Sequence, residues 1–452
     1  MSQIGINPHA LRGLGESVHG TLICPSDEDY HNARKVWNGM IDRQPTLIVR
    51  CADAADVITA IQFAQTERLP VSVRGGGHSV GGLAVCDQGM VIDLSHMKGL
   101  EVDPVTATAR AEAGLTLGEF TRGTQAFGLA MTTGIVSTTG LSGLTLGGGI
   151  GWLMGRYGLT IDNLVSVDVV TAEGKRLTAS ATQEADLFWA VRGGGGNFGI
   201  AASFEFQLHP VGPVLAGMVL HPLDCAREVL RFYREYTSAA SDDLTAYAAL
   251  VTTPDGHPAI AIALCYCGSL AEGERVVEPV RAFGPPLVDL IRPMSYLEAI
   301  SLLDEASPAG HHYYFKTSTI KELSDEAIST IAEYGSARTS PWSGVLIEHL
   351  HGAASRVDPT ETAFAQRGES YIVGIFASWT DGEASTHIEW AQAFWKVLQP
   401  LATGAYVNYL GEEGEERVRA AYAGNYHRLR ALKKRYDPSN FFHINQNIKP
   451  AR

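Results

Sequence analysis

Three glycine-dense segments carry the residues with the clearest chemical potential. They are Arg74-Gly75-Gly76-Gly77-His78-Ser79, the stretch from Gly134 through Gly140 to Gly147-Gly148-Gly149-Ile150-Gly151, and Gly193 to Gly199. Consecutive bare N–H groups form an anion-binding nest, and Arg74 adds a guanidinium, so the first segment suits a pyrophosphate. A tight β-turn is the alternative reading of the same glycines. His78 adjoins this nest. It is either a structural hydrogen-bonding group or, beside a cofactor's diphosphate, a neutral imidazole able to act as a nucleophile. Gly194, Gly196 and Gly199 match the GxGxxG dinucleotide pattern. That pattern needs a strand before it and a helix after it, whereas ADLFWAV reads as a helix and IAASFEFQL as a strand. The inverted context argues against a Rossmann site. No GxxxxGK[ST] or HExxH occurs either.

A second group lies far along the chain. The run Gly344-Val345-Leu346-Ile347-Glu348-His349-Leu350-His351 reads as a strand. Alternation puts Glu348 on one face with Leu346 and Leu350, and His349 and His351 on the other. A carboxyl among apolar neighbours has a raised pKa if buried, which suits acid–base work; a surface glutamate is the competing reading. Two histidines without a third ligand fall short of a metal site, so no metal is expected.

The elements that must position these groups follow from the pattern. TLIVR (46–50) and PVSVR (70–74) read as strands joined by a helix that Asp53 caps, with Val57, Ile58, Ile61 and Ala64 on its apolar face. GMVIDLS, TATARAEA, VSVDVVTA and IAASFEFQL are further strand candidates, with a helix over 116–127. From about 210 to 400 glycine thins, and helical and strand-like runs alternate. A final helix is predicted over 412–436, ending before Pro438.

Bulk composition bounds the function. The chain has 452 residues, 35 Lys+Arg against 49 Asp+Glu, and a net charge of −14. An acidic chain lacks the electrostatic footprint of a nucleic-acid binder or of a partner for anionic membranes. No apolar run is long enough to span a bilayer, and the N-terminus shows no secretory pattern, so a cytoplasmic location is the expectation. Six scattered cysteines give neither a disulfide framework nor a zinc motif. The 48 glycines are an excess, and 26 of them fall within residues 75–199, about twice an even share.

Taken together, several segments resemble one family. RGGGHSVGG (74–82) is similar to the FAD-attachment loop of the berberine bridge enzyme-like flavin oxidases, in the vanillyl-alcohol oxidase/PCMH superfamily. GLTLGGGIGWLMGRYGLTIDNL (143–164), FWAVRGGGGNFGI (188–200), YVNY (406–409) and YHRLRALKKRYDPSNFFHINQNI (426–448) agree, in order, along nearly the whole chain.

The resemblance implies an α+β fold: a two-lobed FAD-binding domain (1–208), a substrate domain with an antiparallel sheet (209–402), and a C-terminal segment (403–452) returning to the first. It implies that His78 carries FAD through an 8α-histidyl bond, with Arg74, Gly75, Gly76, Gly77 and Ser79 around the pyrophosphate. Gly134, Thr138, Thr139, Gly140, Gly143, Gly148 and Gly149 would line the cofactor, with Gly196, Asn197, Gly199, Ile200 and Asn408. Asn445 and Asn447 would close over the isoalloxazine, or simply cap a terminal loop. Some relatives attach the flavin again through a cysteine two residues after the glycine matching Gly134. Here that position is Val136, so a single covalent link is expected, as in the 6-hydroxynicotine oxidase branch.

The resemblance also implies a proton acceptor among Tyr406, Tyr409 and Glu348, although a tyrosine of ordinary pKa near 10 is a poor base at neutral pH. The expected reaction removes a hydride from an alcohol or amine carbon of a small molecule and reduces O2 to H2O2. A dehydrogenase using another acceptor and a flavin-binding protein without turnover are the alternatives. Oligomeric state is left open.

Overall fold

The computed structural model describes residues 6–411 and 413–452. Residues 1–5, part of the N-terminal stretch read above, and Glu412, where the C-terminal helix was expected to begin, lie outside them. Among the described residues no helix is long and apolar enough to cross a membrane.

The fold is α+β, and three sheets carry it. The first is four-stranded, in the order Thr21–Ile23, Leu47–Arg50, Met90–Asp93, Val71–Arg74. Leu47–Arg50 and Val71–Arg74 both run parallel to Met90–Asp93, which lies between them. Their connecting helix, Ala54–Glu67, starts where the Asp53 side chain accepts the N–H groups of Ala55 and Asp56. The second sheet is antiparallel, in the order Leu100–Asp103, Thr108–Glu112, Ile200–Gln207, Leu164–Val170, Arg176–Ser180. Helix Ala185–Val191 precedes the third glycine cluster and strand Ile200–Gln207 follows it, the inverse of a dinucleotide fingerprint.

The third sheet is antiparallel and larger. Its central strands run Val214–Pro222, Pro258–Tyr266, Leu244–Thr252, Gly344–Leu350, Ser370–Trp379, His312–Ile320. Alternation divides its two faces. Ala246, Ala248, Val345, Ile347 and Val373 pack with helices Ala226–Ser238, Asp325–Ser336 and Ala384–Leu398. Tyr247, Leu346, Leu350 and Ile372 join the core shared with the first two sheets. The short strand Ala402–Gly404 pairs with His312–Ile320, so the sheet continues past residue 402.

The C-terminal helix differs from the expectation. It is two helices, Glu415–Tyr422 and Tyr426–Tyr436, broken at Ala423, whose φ is 42°. Asn425 at the break donates through Nδ2 to the carbonyls of Pro359 and Thr362, which turns the chain back onto the glycine loops.

One buried ion pair fixes that tail. Lys433 Nζ donates to Asp437 Oδ2 (2.8 Å), to the Asn197 carbonyl (2.7 Å) and to the Phe442 carbonyl (2.8 Å), which satisfies all three ammonium protons. Asp437 in turn accepts the N–H groups of Phe441 and Phe442. Removing one partner of such a pair leaves a buried charge uncompensated. Lys433→Met is therefore expected to cost about 3–5 kcal/mol. Urea unfolding checks this, and a midpoint within error of wild type would refute it.

Candidate active site

The glycine loops meet backbone to backbone. A Cβ at Gly76 would lie 2.4 Å from Gly140 N, so no larger residue fits there, and one at Gly75 would lie 2.3 Å from Ser142 Oγ and displace that hydroxyl. Gly77 turns the chain at φ 71°, a conformation that favours glycine. These loops open onto a cavity of about 1500 Å³, above the roughly 300–1,000 Å³ of ordinary small-molecule sites.

Many of the predicted residues line this one cavity: Gly75, Gly76, Gly77, His78, Ser79, Gly134, Thr139, Gly140 and Gly143 from the first two clusters. Gly196, Asn197, Gly199 and Ile200 line it from the third, and Tyr406, Asn408, Tyr409 and Asn445 from the C-terminal segment. A Cβ at Gly143 or Gly196 would meet no protein atom, so space for a ligand is left beside them. Asn197 ties the walls together. Its Nδ2 donates to the carbonyls of Gly194 and Gln446, and its Oδ1 accepts from Ile448 N–H.

Others stand elsewhere. Arg74 does not face the nest: its guanidinium is buried against Asp93 (2.5 Å) and the carbonyls of Ala33 and Lys35. The cation expected over a pyrophosphate is a strut between loop and sheet, because a buried guanidinium takes the nearest carboxylate. Gly148 and Gly149 are likewise not in the cavity wall. They make room for Phe364 and Thr160, against which a Cβ at Gly148 or Gly149 respectively would clash. Thr138 reaches the site only through His78, its Oγ1 lying 3.0 Å from Nε2. Asn447 does not reach the cavity either.

His78 is half-buried, and burial lowers its pKa to about 4, so the imidazole is neutral at pH 7. Its ring stacks on Trp37 (4.6 Å between centroids), and Trp37 stacks on Tyr313 of the third sheet (3.7 Å). Asn38 bridges the same elements, donating to the Val80 and Tyr313 carbonyls. No sequence signal marked Trp37 or Asn38, since each acts on residues about forty or nearly three hundred positions away.

Glu348 sits in the interior, 1% exposed, on the face the alternation assigned. It does not line the cavity itself. Tyr409 does, and its hydroxyl donates to Glu348 Oε1 (3.2 Å), while Oε2 meets no donor. Burial lifts the Glu348 pKa to about 8 and holds that of Tyr409 well above 10, with Glu348 adding to the latter. Burial also pushes Tyr406 up to about 12. The Tyr406 hydroxyl accepts from Gly149 N–H (3.1 Å) and Asn408 Nδ2 (2.8 Å), which pins the second glycine cluster. On the opposite face His349 and His351 stack at 5.1 Å, and His349 Nε2 meets Glu369 Oε1.

A FAD binding domain profile matches residues 45–180, and one described as berberine and berberine like matches residues 405–449. Over 442 residues the chain is 34% identical to an FAD-linked oxidoreductase of Dictyostelium discoideum, covering 97% of this chain and 96% of the relative. The chain belongs to the berberine bridge enzyme-like family of FAD-linked oxidoreductases. Within that family it is 28% identical to (R)-6-hydroxynicotine oxidase of Paenarthrobacter nicotinovorans, over 96% of this chain and 97% of the relative. The crystal structure of 6-hydroxy-D-nicotine oxidase from Arthrobacter nicotinovorans superposes with a TM-score of 0.88 at 28% identity, covering 96% of this chain and 99% of that one.

The cavity fits the FAD of a berberine bridge enzyme-like protein. Three polar atoms in residues of its wall, Ser378 Oγ, Tyr422 Oη and Asn445 Oδ1, are buried without a protein partner. Such groups are satisfied by a ligand or water. Tyr422 carried no sequence signal, being one tyrosine on an otherwise ordinary helix face.

Two outcomes follow from these groups. In a His78→Ala background, Tyr422→Phe is expected to weaken FAD binding about tenfold, the worth of roughly one hydrogen bond, without lowering the stability of the apoprotein. Fluorescence titration with FAD reads the first and urea unfolding the second. For Glu348, the folded pKa of about 8 exceeds the ordinary 4.5, so its stability contribution is complete at acid pH and declines as pH rises through 8. Wild type should lose about 1.4 kcal/mol per pH unit across that window relative to Glu348→Gln, about 5 kcal/mol in all. Parallel urea midpoints for the two proteins from pH 5 to pH 8 would show that the carboxyl is not desolvated.

Proposed function

We propose that this FAD-linked oxidoreductase is an oxidase with a singly, covalently attached flavin, acting on an alcohol or amine carbon of a small molecule. Bound FAD supplies the two-electron chemistry. The observation that carries the reading is the Tyr409 hydroxyl in the cavity wall, hydrogen-bonded to the buried Glu348 carboxyl. An oxidisable alcohol or amine must lose a proton as its carbon loses a hydride. Tyr409 takes that proton at the cavity surface and Glu348 holds it behind. With a pKa of about 8, Glu348 is a base matched to mildly alkaline conditions, whereas Tyr406 near 12 acts by positioning. Over a turnover, O2 gains the two electrons and two protons and leaves as H2O2.

His78 supports the covalent attachment. It is a neutral imidazole beside the bare Gly75–Gly77 backbone, with Thr138 Oγ1 to orient Nε2. Val136 lines the cavity, and among the described residues no cysteine does, which supports one link rather than two.

Acid precipitation tests the attachment. Yellow colour should remain in the wild-type pellet and wash out of His78→Ala; colour lost from wild type would overturn the link. Stopped-flow reoxidation in air tests the acceptor, and sluggish reoxidation would favour a dehydrogenase. The ascending limb of kcat/KM near pH 8 should vanish in Glu348→Gln, while Tyr409→Phe should lower kcat about 10²–10⁴-fold.

A further inference from the structure

The half of the cavity contributed by the third sheet has a distinct chemistry. Among the described residues no lysine or arginine lines the cavity anywhere, and its only carboxylates are Asp255 and Glu305, both on the exposed rim. Asp255, held below the usual carboxylate range by hydrogen bonding from Thr253, is ionised at neutral pH and already faces His257. A substrate carboxylate or phosphate would find no cation here and would face like charge.

The wall itself offers little to a sugar. Met218, Leu220, Ala249, Val251, Phe315 and Phe376 project into the cavity from four strands. None of these side chains carries a hydrogen-bonding group, and each carbohydrate hydroxyl buried against them would cost affinity. The Ser343 hydroxyl nearby is engaged with the Ser378 backbone on both sides, donating to its carbonyl and accepting from its N–H. This leaves the single buried Ser378 hydroxyl in this wall without a protein partner, enough for one substrate hydroxyl and not for the many of a sugar.

The apolar wall continues outward. Leu287 N–H donates to the Leu220 carbonyl and Leu290 N–H to that of Met218, which fixes this segment along the sheet edge. Leu287 is 52% exposed, Leu290 51% and Trp342 45%, and all three line the cavity. Large apolar side chains left in water at the mouth of a cavity mark a surface that another apolar body covers.

We infer that the substrate is a molecule without an anionic group, with an extended hydrocarbon or aromatic skeleton carrying one oxidisable alcohol carbon, and that its skeleton lies on this wall and lip. The inference rests on the proposed oxidase function. The substrate R₂CH–OH becomes R₂C=O, losing two electrons and two protons, which O2 takes up as H2O2. Specificity then comes from burying the skeleton and from excluding negative charge.

The holoenzyme tests this with four probes: 4-hexylbenzyl alcohol, its analogue with a carboxylate at the chain end, 4-hexylbenzylamine, and a β-linked glucose oligosaccharide. Anaerobic bleaching of the flavin band gives the rate of reduction, and perturbation of the same band gives binding. The apolar alcohol should exceed the carboxylate and the oligosaccharide by at least 100-fold in reduction rate at limiting concentration. Equal or faster reduction by the carboxylate, the amine or the oligosaccharide overturns the inference. If no probe bleaches the band but the apolar alcohol alone perturbs it, the substrate class stands and the oxidase reading fails. Leu290→Lys, at a half-exposed position that tolerates charge, should raise the carboxylate-to-alcohol preference about tenfold. An unchanged preference overturns the placing of the substrate on the lip.

Discussion

Two backbones touching without side chains between them is the constraint on which the rest depends. Gly76 and Gly140 approach so closely that a single methyl group on either would collide with the other's peptide. The first loop hangs from the parallel sheet and is held at its root by the Arg74–Asp93 ion pair. The second leads into helix Leu141–Leu146 and is pinned further on by Tyr406. Their contact brings backbone from both loops into one cavity wall. A wall built this way depends on glycine twice, for the shape of the loop and for the absence of anything that would separate the loops.

The sequence made much of this legible, for a physical reason. Glycine clustering reports backbone proximity directly, and residues of His78's loop, of the second cluster and of the third do line one cavity. Alternation along Gly344–Leu350 put Glu348 on the correct face because period two is local. What could not be read was the partner of each group. The glycine run made Arg74 look like a phosphate ligand, but Asp93, nineteen residues on, claims it. Gly148 and Gly149 looked like cofactor loops and instead give way to Phe364 and Thr160. The helix break at Ala423 follows from hydrogen bonds of Asn425 to a loop some sixty residues earlier. Trp37 and Asn38 lie in an unremarkable stretch and matter only through what they touch.

The site also stores unfavourable chemistry. A desolvated Glu348, with one carboxylate oxygen unpartnered behind Tyr409, is a poor choice for stability and a good one for accepting a proton. The surrounding structure offsets it with well-satisfied groups elsewhere, Lys433 and Asp437 among them. Their network joins Asn197 to Phe442, so the elements that stabilise the fold and those that enclose the cavity are partly the same.

The C-terminal segment adds a constraint of timing. Tyr406, Asn408, Tyr409, Tyr422, Asn445 and Gln446 supply one side of the cavity, and they leave the ribosome after every other wall. Until they emerge, the glycine loops face an open trough, and Asn197 lacks its bonds to Gln446 and Ile448. Enclosure of a dinucleotide is thereby postponed until synthesis has passed residue 446, so a prematurely terminated chain would lack the wall needed to enclose the redox group.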